Sequence, residues 1–542
     1  MLFNSYEFIF AFLPLTLLGW AWLGRTSAGR APVVWLIACS VAFYGLWNPL
    51  SLAIILPSIG INYALARWMQ HCQVNAKPGQ ANEKRVGAIL LLGIVFNLCF
   101  LGYFKYKNFF LESTNLLFGS DWPLVATILP LGISFITFQK IAFLVDVRAG
   151  TIKQFKATEF LIFVFFFPQL IAGPIVHYRE VVPQFSAERQ RVQASDLAVG
   201  LALFAMGLFK KVVLADGIAP YANTTFAAAE AGQAISLIGG WLGALAYIFQ
   251  LYFDFSGYSD MAIGLARLFG IRLPANFNSP LKASSMIDFW ARWHLTLTRF
   301  LTAYVYTPLV MHLTRQRMAT GKPVLSRNHR GAVAFAVLVA TPTMATMALS
   351  GLWHGAGLTF IVWGLLNGLL LVVNHGWRLW RPKWDKAAYE RIMKPLGWLL
   401  TFTAVVMLAV FFRAHTMQGA GHLLHAMIGL DGISVPATVL SRLGSLGSGL
   451  VALGVVADGT AGTTFAQNAL WVVALGGIAI GLPNSIEVAQ RFEPALGFRA
   501  PAGAPRLLAM QLNPAWAVYF GVLLLAGVSS LNRISEFLYW QF

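Results

Sequence analysis

The sequence predicts an all-α polytopic membrane protein, and three observations carry that prediction. Of 542 residues, 58% are hydrophobic and only 11% are charged, with a mean hydropathy of +0.66. An average soluble domain is about one quarter charged, so this chain cannot cover a globule of its size with polar surface, and lipid must be the solvent for much of it. The apolar residues also gather in continuous runs of membrane length. Continuous runs argue for helices, and against a β-barrel, whose strands alternate.

Taken in order, the first run is 8–22. Glu7 precedes it and Arg25 and Arg30 follow it, the reverse of a secretory signal peptide, and no small-residue cleavage site stands out, so the segment is expected to stay in the protein. By the positive-inside rule Arg25 and Arg30 face the cytoplasm and the N-terminus is periplasmic. Runs 32–47, 50–66 and 86–104 follow. The last carries no charge, and its one strongly polar side chain is Asn97. At about 1.5 Å per residue it nearly crosses a hydrocarbon core of about 30 Å. Lys77, Lys84 and Arg85 fall on the cytoplasmic side as alternation requires, and Arg148, Lys153 and Lys156, after run 124–145, fit too. Beyond these the alternation blurs. Runs 197–214, 237–253, 331–349, 359–373, 397–412, 469–482 and 516–528 complete the series. Roughly 10–13 membrane helices result, with the shorter runs read as half-spans or interfacial helices.

The chain reads as one transmembrane domain, 1–542, in three zones. Residues 1–128 are simple apolar spans. Residues 129–376 hold nearly all the unusual polar groups and form the expected catalytic core. Residues 377–542 open on Arg378, Arg381, Lys383, Lys386, Arg391 and Lys394, and include a Gly- and Ser-rich stretch at about 431–465 that reads as a loop or flexible insert. The net charge of +18 suits basic loops that hold topology and lie against anionic lipid. No compact basic and aromatic module suggests nucleic acid. Cys39, Cys72 and Cys99 are scattered, Cys39 and Cys99 within apolar runs as packing residues, so neither a disulfide framework nor a thiolate metal site is expected. No HxH or HxxxH pair and no GxxxxGK[ST] loop occurs, and His422 and His425 read as surface residues. No metal and no ATP-driven pumping are therefore expected.

Ionisable groups at membrane depth cost about 2.5–3.5 kcal/mol on insertion scales and are usually functional or paired. Four stretches carry them or break the apolar pattern. In 288–299, Trp290, His294 and Thr298 share one face of a helix, with Arg292, Thr296 and Arg299 on another; the alternative is an interfacial helix anchored by Trp and Arg. In 350–357, Gly351, Gly355 and Gly357 strip side chains from around Trp353 and His354, which suits close approach of a ligand or, alternatively, helix packing through small residues. In 252–260, Asp254 and Tyr258 are i, i+4 neighbours; the carboxylates pair with arginines such as Arg267 or bind substrate. In 167–174, Pro and Gly interrupt an apolar segment that reads as re-entrant.

At these stretches the sequence resembles the membrane-bound O-acyltransferase family, in the branch that acetylates secreted bacterial polysaccharides such as alginate. The matching segments are LPLGISFITFQKIAFLVDVRAG (129–150), FFPQLIAGPIVHY (166–178), YFDFSGYSDMAIGLARLFGIRLPANFNSP (252–280), DFWARWHLTLTRFLTAYVYTPL (288–309), SGLWHGAGLTFIVWG (350–364), FFRA (411–414) and the closing FLYWQF (537–542). The resemblance implies a fold with a thin central region between two funnels, one per membrane face. It maps the family's histidine onto His354 and a second polar position onto His294. His177 stands where arginine is expected, and Asn367 where many members carry histidine, which removes that position as a proton carrier.

The resemblance further implies an O-acyltransferase of the bacterial inner membrane that binds no cofactor permanently. Acetyl-CoA would be the cytoplasmic donor, and a periplasmic acetyltransferase partner within the exopolysaccharide synthesis machinery would receive the acetyl group; alginate or cellulose would be the polymer. A thioester is already activated, so the protein needs only an acyl route and a base, and an enclosed neutral imidazole can accept a proton. His354 is the expected base and His294 orients donor or acceptor; a covalent acyl-histidine is the alternative. Trp353, Trp290, Asp254 and Asp288 are the expected substrate contacts. The rival readings are D-alanyl transfer to teichoic acid and, in another class, a transporter or flippase.

Overall fold

The computed structural model describes the chain except for residues 27–28, 75–80, 126–127, 187–191, 327–328, 383–384, 499–507, 532–537 and 539–542. Lys77, Lys383 and the closing 537–542 motif apart from Leu538 thus lie outside the described residues. Among those described, nine helices are long and apolar enough to cross a membrane: Phe8–Thr26, Pro49–Val74, Asn82–Phe118, Ala194–Glu230, Leu237–Leu268, Ala332–His354, Leu358–Trp380, Lys386–Arg413 and Gly462–Gly481. Ala31–Trp47 and Pro514–Ser529 are shorter apolar helices. The predicted class holds: the described chain is all-α apart from one pair of three-residue strands and an isolated bridge.

Two compact units interleave in sequence. One comprises Met1–Phe209, Tyr258–Ala275 and Ser485–Trp540; the other holds Lys210–Gly257 and Asn276–Asn484. The three zones of the sequence do not follow this division, because the helix Leu237–Leu268 belongs to both units.

The first unit has an aromatic core. Phe3 stacks on Tyr258 at 5.0 Å between centroids and on Phe43 at 5.5 Å, and Phe167 meets Phe269 edge-on at 5.8 Å. The expected break at 167–174 is present. The helix Ala157–Phe165 stops, a single turn Phe167–Leu170 follows with Pro168 in its first turn, and residues 162–176 are all buried. Two of its loosened backbone groups are met locally: Phe167 N–H donates to Ser40 Oγ (3.2 Å), and Gln169 Nε2 donates to the Phe163 carbonyl (2.6 Å). Irregular backbone at membrane depth is tolerated where protein surrounds it in this way. Asn97 is explained by Asn62, whose amide exchanges two hydrogen bonds with it (2.6 and 3.2 Å).

Three expectations are corrected here. Run 124–145 is not one helix; the helix is Ile133–Arg148. Gly132 precedes it at φ +67°, and a Cβ there would lie 2.9 Å from the Leu170 carbonyl, so only glycine suits that turn. Arg267 pairs with Asp196 (2.8 Å) rather than with Asp254. Cys99 is exposed, whereas Cys39 is buried as expected.

In the second unit, the Gly- and Ser-rich stretch expected as a loop is folded. Strands Ser434–Pro436 and Val456–Asp458 pair in parallel around the helices Ala437–Arg442 and Ser445–Ala452. Val435, Leu440 and Val455 form a small apolar cluster. Its glycines serve turns, with Gly432, Gly444 and Gly454 all at positive φ, so their abundance marks tight connections and not looseness. His422 and His425 are tied down too, against the Ala229 carbonyl (3.1 Å) and Asp431 (3.0 Å).

Candidate active site

The site is built on a helical hairpin, Thr341–His354 and Leu358–Trp380, joined by residues 355–357. The helices touch backbone to backbone: a Cβ on Gly351 would run into the Phe360 carbonyl, and one on Gly364 into the Met347 carbonyl. Gly355 is extended and ends the first helix; a Cβ on it would strike the Phe360 ring. The small-residue packing offered as the alternative is therefore real. It also places His354 at the turn, 4% exposed. Around that imidazole stand Trp353 (4.7 Å between centroids), Phe412 (5.1 Å), Trp363 (5.2 Å) and His294 (6.4 Å). The two predicted histidines and Trp353 thus come together across 60 residues of chain.

The predicted single helix through 288–299 does not form. Met286–Trp290 and Leu295–Leu301 are separate helices, and between them His294 takes φ +45°, ψ +52°. Trp290, His294 and Thr298 consequently do not share one helical face. Asn276 is the cause. Its backbone carbonyl accepts from Leu295 N–H (2.9 Å), and its side-chain Oδ1 accepts from Thr296 N–H (3.3 Å) and the Thr296 hydroxyl (2.8 Å). A non-glycine residue in the left-handed region costs about 1 kcal/mol or more, which this clamp offsets.

The clamp also decides the chemistry of His294. A backbone N–H can only donate, so the Asn276 atom that receives it is oxygen. His294 Nδ1 lies 3.0 Å from that same oxygen and must carry the proton, which leaves the lone pair on Nε2. His294 lies outside the nine candidate spans. Burial pushes its pKa down from 6.5 to about 3, so the ring is a neutral base at ordinary pH. Phe255 packs edge-on against it at 4.8 Å.

The other predicted residues divide. Trp290 is one ring removed, 5.9 Å from Trp363, which itself packs on His354. Asp288 is not brought in: it pairs with Arg292 (2.8 Å) and accepts the Ser284 backbone N–H (3.2 Å), fixing the turn that starts its helix. Asp254 is buried and pairs with Lys211 (2.6 Å), which also holds Asp216 (2.8 Å). A lysine thus takes the place of the expected arginine, and it is Phe255, the next residue, that reaches His294. Asn367 donates to the Trp363 carbonyl of its own helix (2.8 Å). His177 belongs to the first unit.

Asn276, Trp363, Phe412 and Lys211 escaped the sequence reading as functional residues. An asparagine in an apolar context, within 275–280, was the available signal for the first.

A cavity of about 310 Å³ adjoins the cluster, lined among others by Trp290, Thr298, Tyr306, Thr346, Met347 and His375, and by neither His294 nor His354. Trp290 Nε1, Thr298 Oγ1 and Thr346 Oγ1 are buried with no hydrogen-bond partner among the described residues. Buried donors of this kind call for a polar occupant.

The sequence model of the membrane-bound O-acyltransferase family matches residues 88–321. A peptidoglycan O-acetyltransferase of Helicobacter pylori is 39% identical over 462 residues, 80% of this chain and 81% of that protein. A probable alginate O-acetylase, AlgI, of Pseudomonas aeruginosa is 34% identical over 569 residues, 100% of both chains. A teichoic acid D-alanyltransferase of Streptococcus thermophilus is 29% identical over 297 residues, 52% of this chain and 68% of that protein.

Proposed function

The chain belongs to the membrane-bound O-acyltransferase family, and on that premise we propose that it moves acetyl groups from cytoplasmic acetyl-CoA across the inner membrane for O-acetylation of an exported glycan. It is a multi-pass membrane protein and an O-acyltransferase. The placement of the cavity carries the finer reading. By the positive-inside rule Arg378, Arg381, Lys386, Arg391 and Lys394 would face the cytoplasm in this reading. From there the helix Leu358–Trp380 rises about 34 Å at 1.5 Å per residue, which puts the hairpin turn and His354 toward the opposite face. The 310 Å³ cavity includes His375, within two turns of that basic end, and reaches Trp290 and Met347. An acyl donor entering from the cytoplasm would thus meet the Trp290–Trp363 wall with the imidazoles behind it.

The chemistry needs no metal. The acceptor oxygen attacks the thioester carbonyl while an imidazole nitrogen takes its proton; the C–S bond breaks, and the same proton passes to the leaving thiolate. Positioned base catalysis contributes about 10²–10⁴-fold. His354 is the base at the turn, Trp353 shapes the acyl passage, and His294, with its lone pair on Nε2, orients or assists.

A periplasmic acetyltransferase receiving the group belongs to this reading, as does a periplasmic N-terminus. Alginate- or cellulose-like polymers fit this reading as the glycan. The 39% identity to a peptidoglycan O-acetyltransferase favours a second, a cell-wall glycan. D-alanyl transfer is less well supported, since that relative matches about half of this chain. Family membership leaves the transporter reading without support. Replacing His354 with alanine is expected to abolish O-acetyl ester on both exported polymer and cell wall while protein level persists; normal ester content in that variant overturns the assignment.

A further inference from the structure

The unit that holds the histidines contains a second cavity, of about 350 Å³, that acyl transfer leaves unused. It lies where the helices Asp216–Glu230, Leu237–Leu268 and Gly462–Gly481 meet the folded 431–465 segment. Its position follows from one helix. Lys386–Arg413 begins in the basic segment and has 28 residues, about 42 Å, so Arg413 lies at the face opposite the cytoplasmic charges. Phe412 packs on His354, and Arg413 donates to Asn223 Oδ1 (3.2 Å). The next residues in sequence, Thr224 and Thr225, line the cavity. The cavity therefore stands at the exported face, beside the His354 turn.

Its lining is rich in hydroxyl and amide groups, among them Thr225, Ser236, Ser434 and Asn468, with the rings of Tyr221 and Phe465. Thr225 donates its hydroxyl hydrogen to the Tyr221 carbonyl (3.2 Å), which leaves its oxygen as an acceptor. Asn468 Oδ1 is a buried acceptor with no partner among the described residues. Asn468 wants a donor, and a buried acceptor left unmet is costly. Asp458 is the one carboxylate among the described residues of the wall. Burial pushes its pKa up, but hydrogen bonds from the Ser434 hydroxyl and from Thr460 outweigh this and hold it below the usual carboxylate range. It is an anion at neutral pH and disfavours a second carboxylate beside it.

We propose that this cavity binds an uncharged saccharide segment of the exported glycan, holding it at the exported face where the partner acetyltransferase receives the acetyl group. Sugar hydroxyls supply the donors that the wall lacks, and aromatic rings offer apolar faces to a pyranose. A volume of about 350 Å³ falls within the ordinary range of small-molecule sites, about 300–1,000 Å³. The Asp458 carboxylate selects against a hexuronate strand. The proposal rests on the reading of the chain as the supplier of acetyl groups for O-acetylation of an exported glycan.

The test is titration calorimetry of the full-length protein in detergent against a neutral N-acetylhexosamine tetramer and a hexuronate tetramer. The neutral tetramer is expected to bind, and Asn468→Ala to weaken it by about 3- to 10-fold, the loss of one neutral hydrogen bond. The hexuronate is expected to bind at least tenfold more weakly, and Asp458→Asn to narrow that gap. No binding of the neutral tetramer, unchanged binding by Asn468→Ala, or a preference for hexuronate overturns the proposal. So does a loss of partner acetyltransferase capture in Asn468→Ala without any saccharide binding, which would make the cavity a protein-docking site. Binding to His354→Ala is expected to persist. If binding persists but no glycan is ever acetylated, the proposed function fails and the site stands; if His354-dependent acetylation occurs without saccharide binding, the site alone fails.

Discussion

Asn276→Ala tests whether this buried side chain fixes the His294 tautomer. The substitution removes one oxygen that accepts from Thr296 N–H, the Thr296 hydroxyl and His294 Nδ1 at 3.3, 2.8 and 3.0 Å. All three groups are buried, and a buried polar group left unmet costs about 1–3 kcal/mol. The Thr296 hydroxyl can rotate to another acceptor, so the two remaining groups bring the loss to roughly 2–6 kcal/mol. The left-handed His294 also loses its clamp, and either ring nitrogen can then carry the proton. Removing the group that fixes a functional histidine typically costs about 10- to 100-fold in activity. The assay is acetyl transfer by purified protein, normalised to folded protein by size-exclusion chromatography. Asn276→Asp supplies the control: a carboxylate keeps the acceptor, so transfer should recover relative to the alanine variant. The nearby anion should also raise the His294 pKa by about 1–3 units and bring a new acid limb into the rate profile. A merely structural asparagine would show no such limb. Wild-type turnover in Asn276→Ala, with or without lost stability, refutes the role assigned to the tautomer.

His294 gives a pH prediction with a definite sign. Its folded pKa is pushed down to about 3 against 6.5 unfolded, so the unfolded chain binds the extra proton. The contribution is complete above about pH 6.5 and is lost as pH falls toward 3. Between pH 7.5 and 5 the protein should lose about 2 kcal/mol, at 1.36 per unit below 6.5, and His294→Phe should remove that part of the loss in thermal melts. In the hairpin, Gly351→Leu drives a side chain into the Phe360 carbonyl; a loss of at least about 3 kcal/mol and disappearance of monodisperse protein are expected, and a stable, active Gly351→Leu contradicts the backbone contact. Lys211→Met leaves the buried Asp254 and the half-buried Asp216 without this cation, a change worth about 3–5 kcal/mol. Adding Asp254→Asn should recover a good part of it in the same melting assay, and an undiminished melting temperature in the single variant speaks against the pair.

The sequence by itself determined the solvent. Few charges, long continuous apolar runs and basic flanks at Arg25, Arg30 and 378–394 follow from what lipid tolerates, and that constraint acts residue by residue along the chain. It also marked where lipid's rules are broken, so His294, Trp353 and His354 were legible as anomalies before any fold was known. What it could not contain is the partner of each anomaly. Asp254 meets Lys211 and not Arg267, Asp288 fixes a turn, and Asn276 breaks a helix that periodicity alone would continue through His294. Those outcomes depend on which buried donor finds which acceptor after distant segments pack, and helical spacing carries no information about groups on other elements. The folded 431–465 segment failed for the same reason: its glycines look like slack in one dimension and act as turns only once Val435, Leu440 and Val455 have found each other.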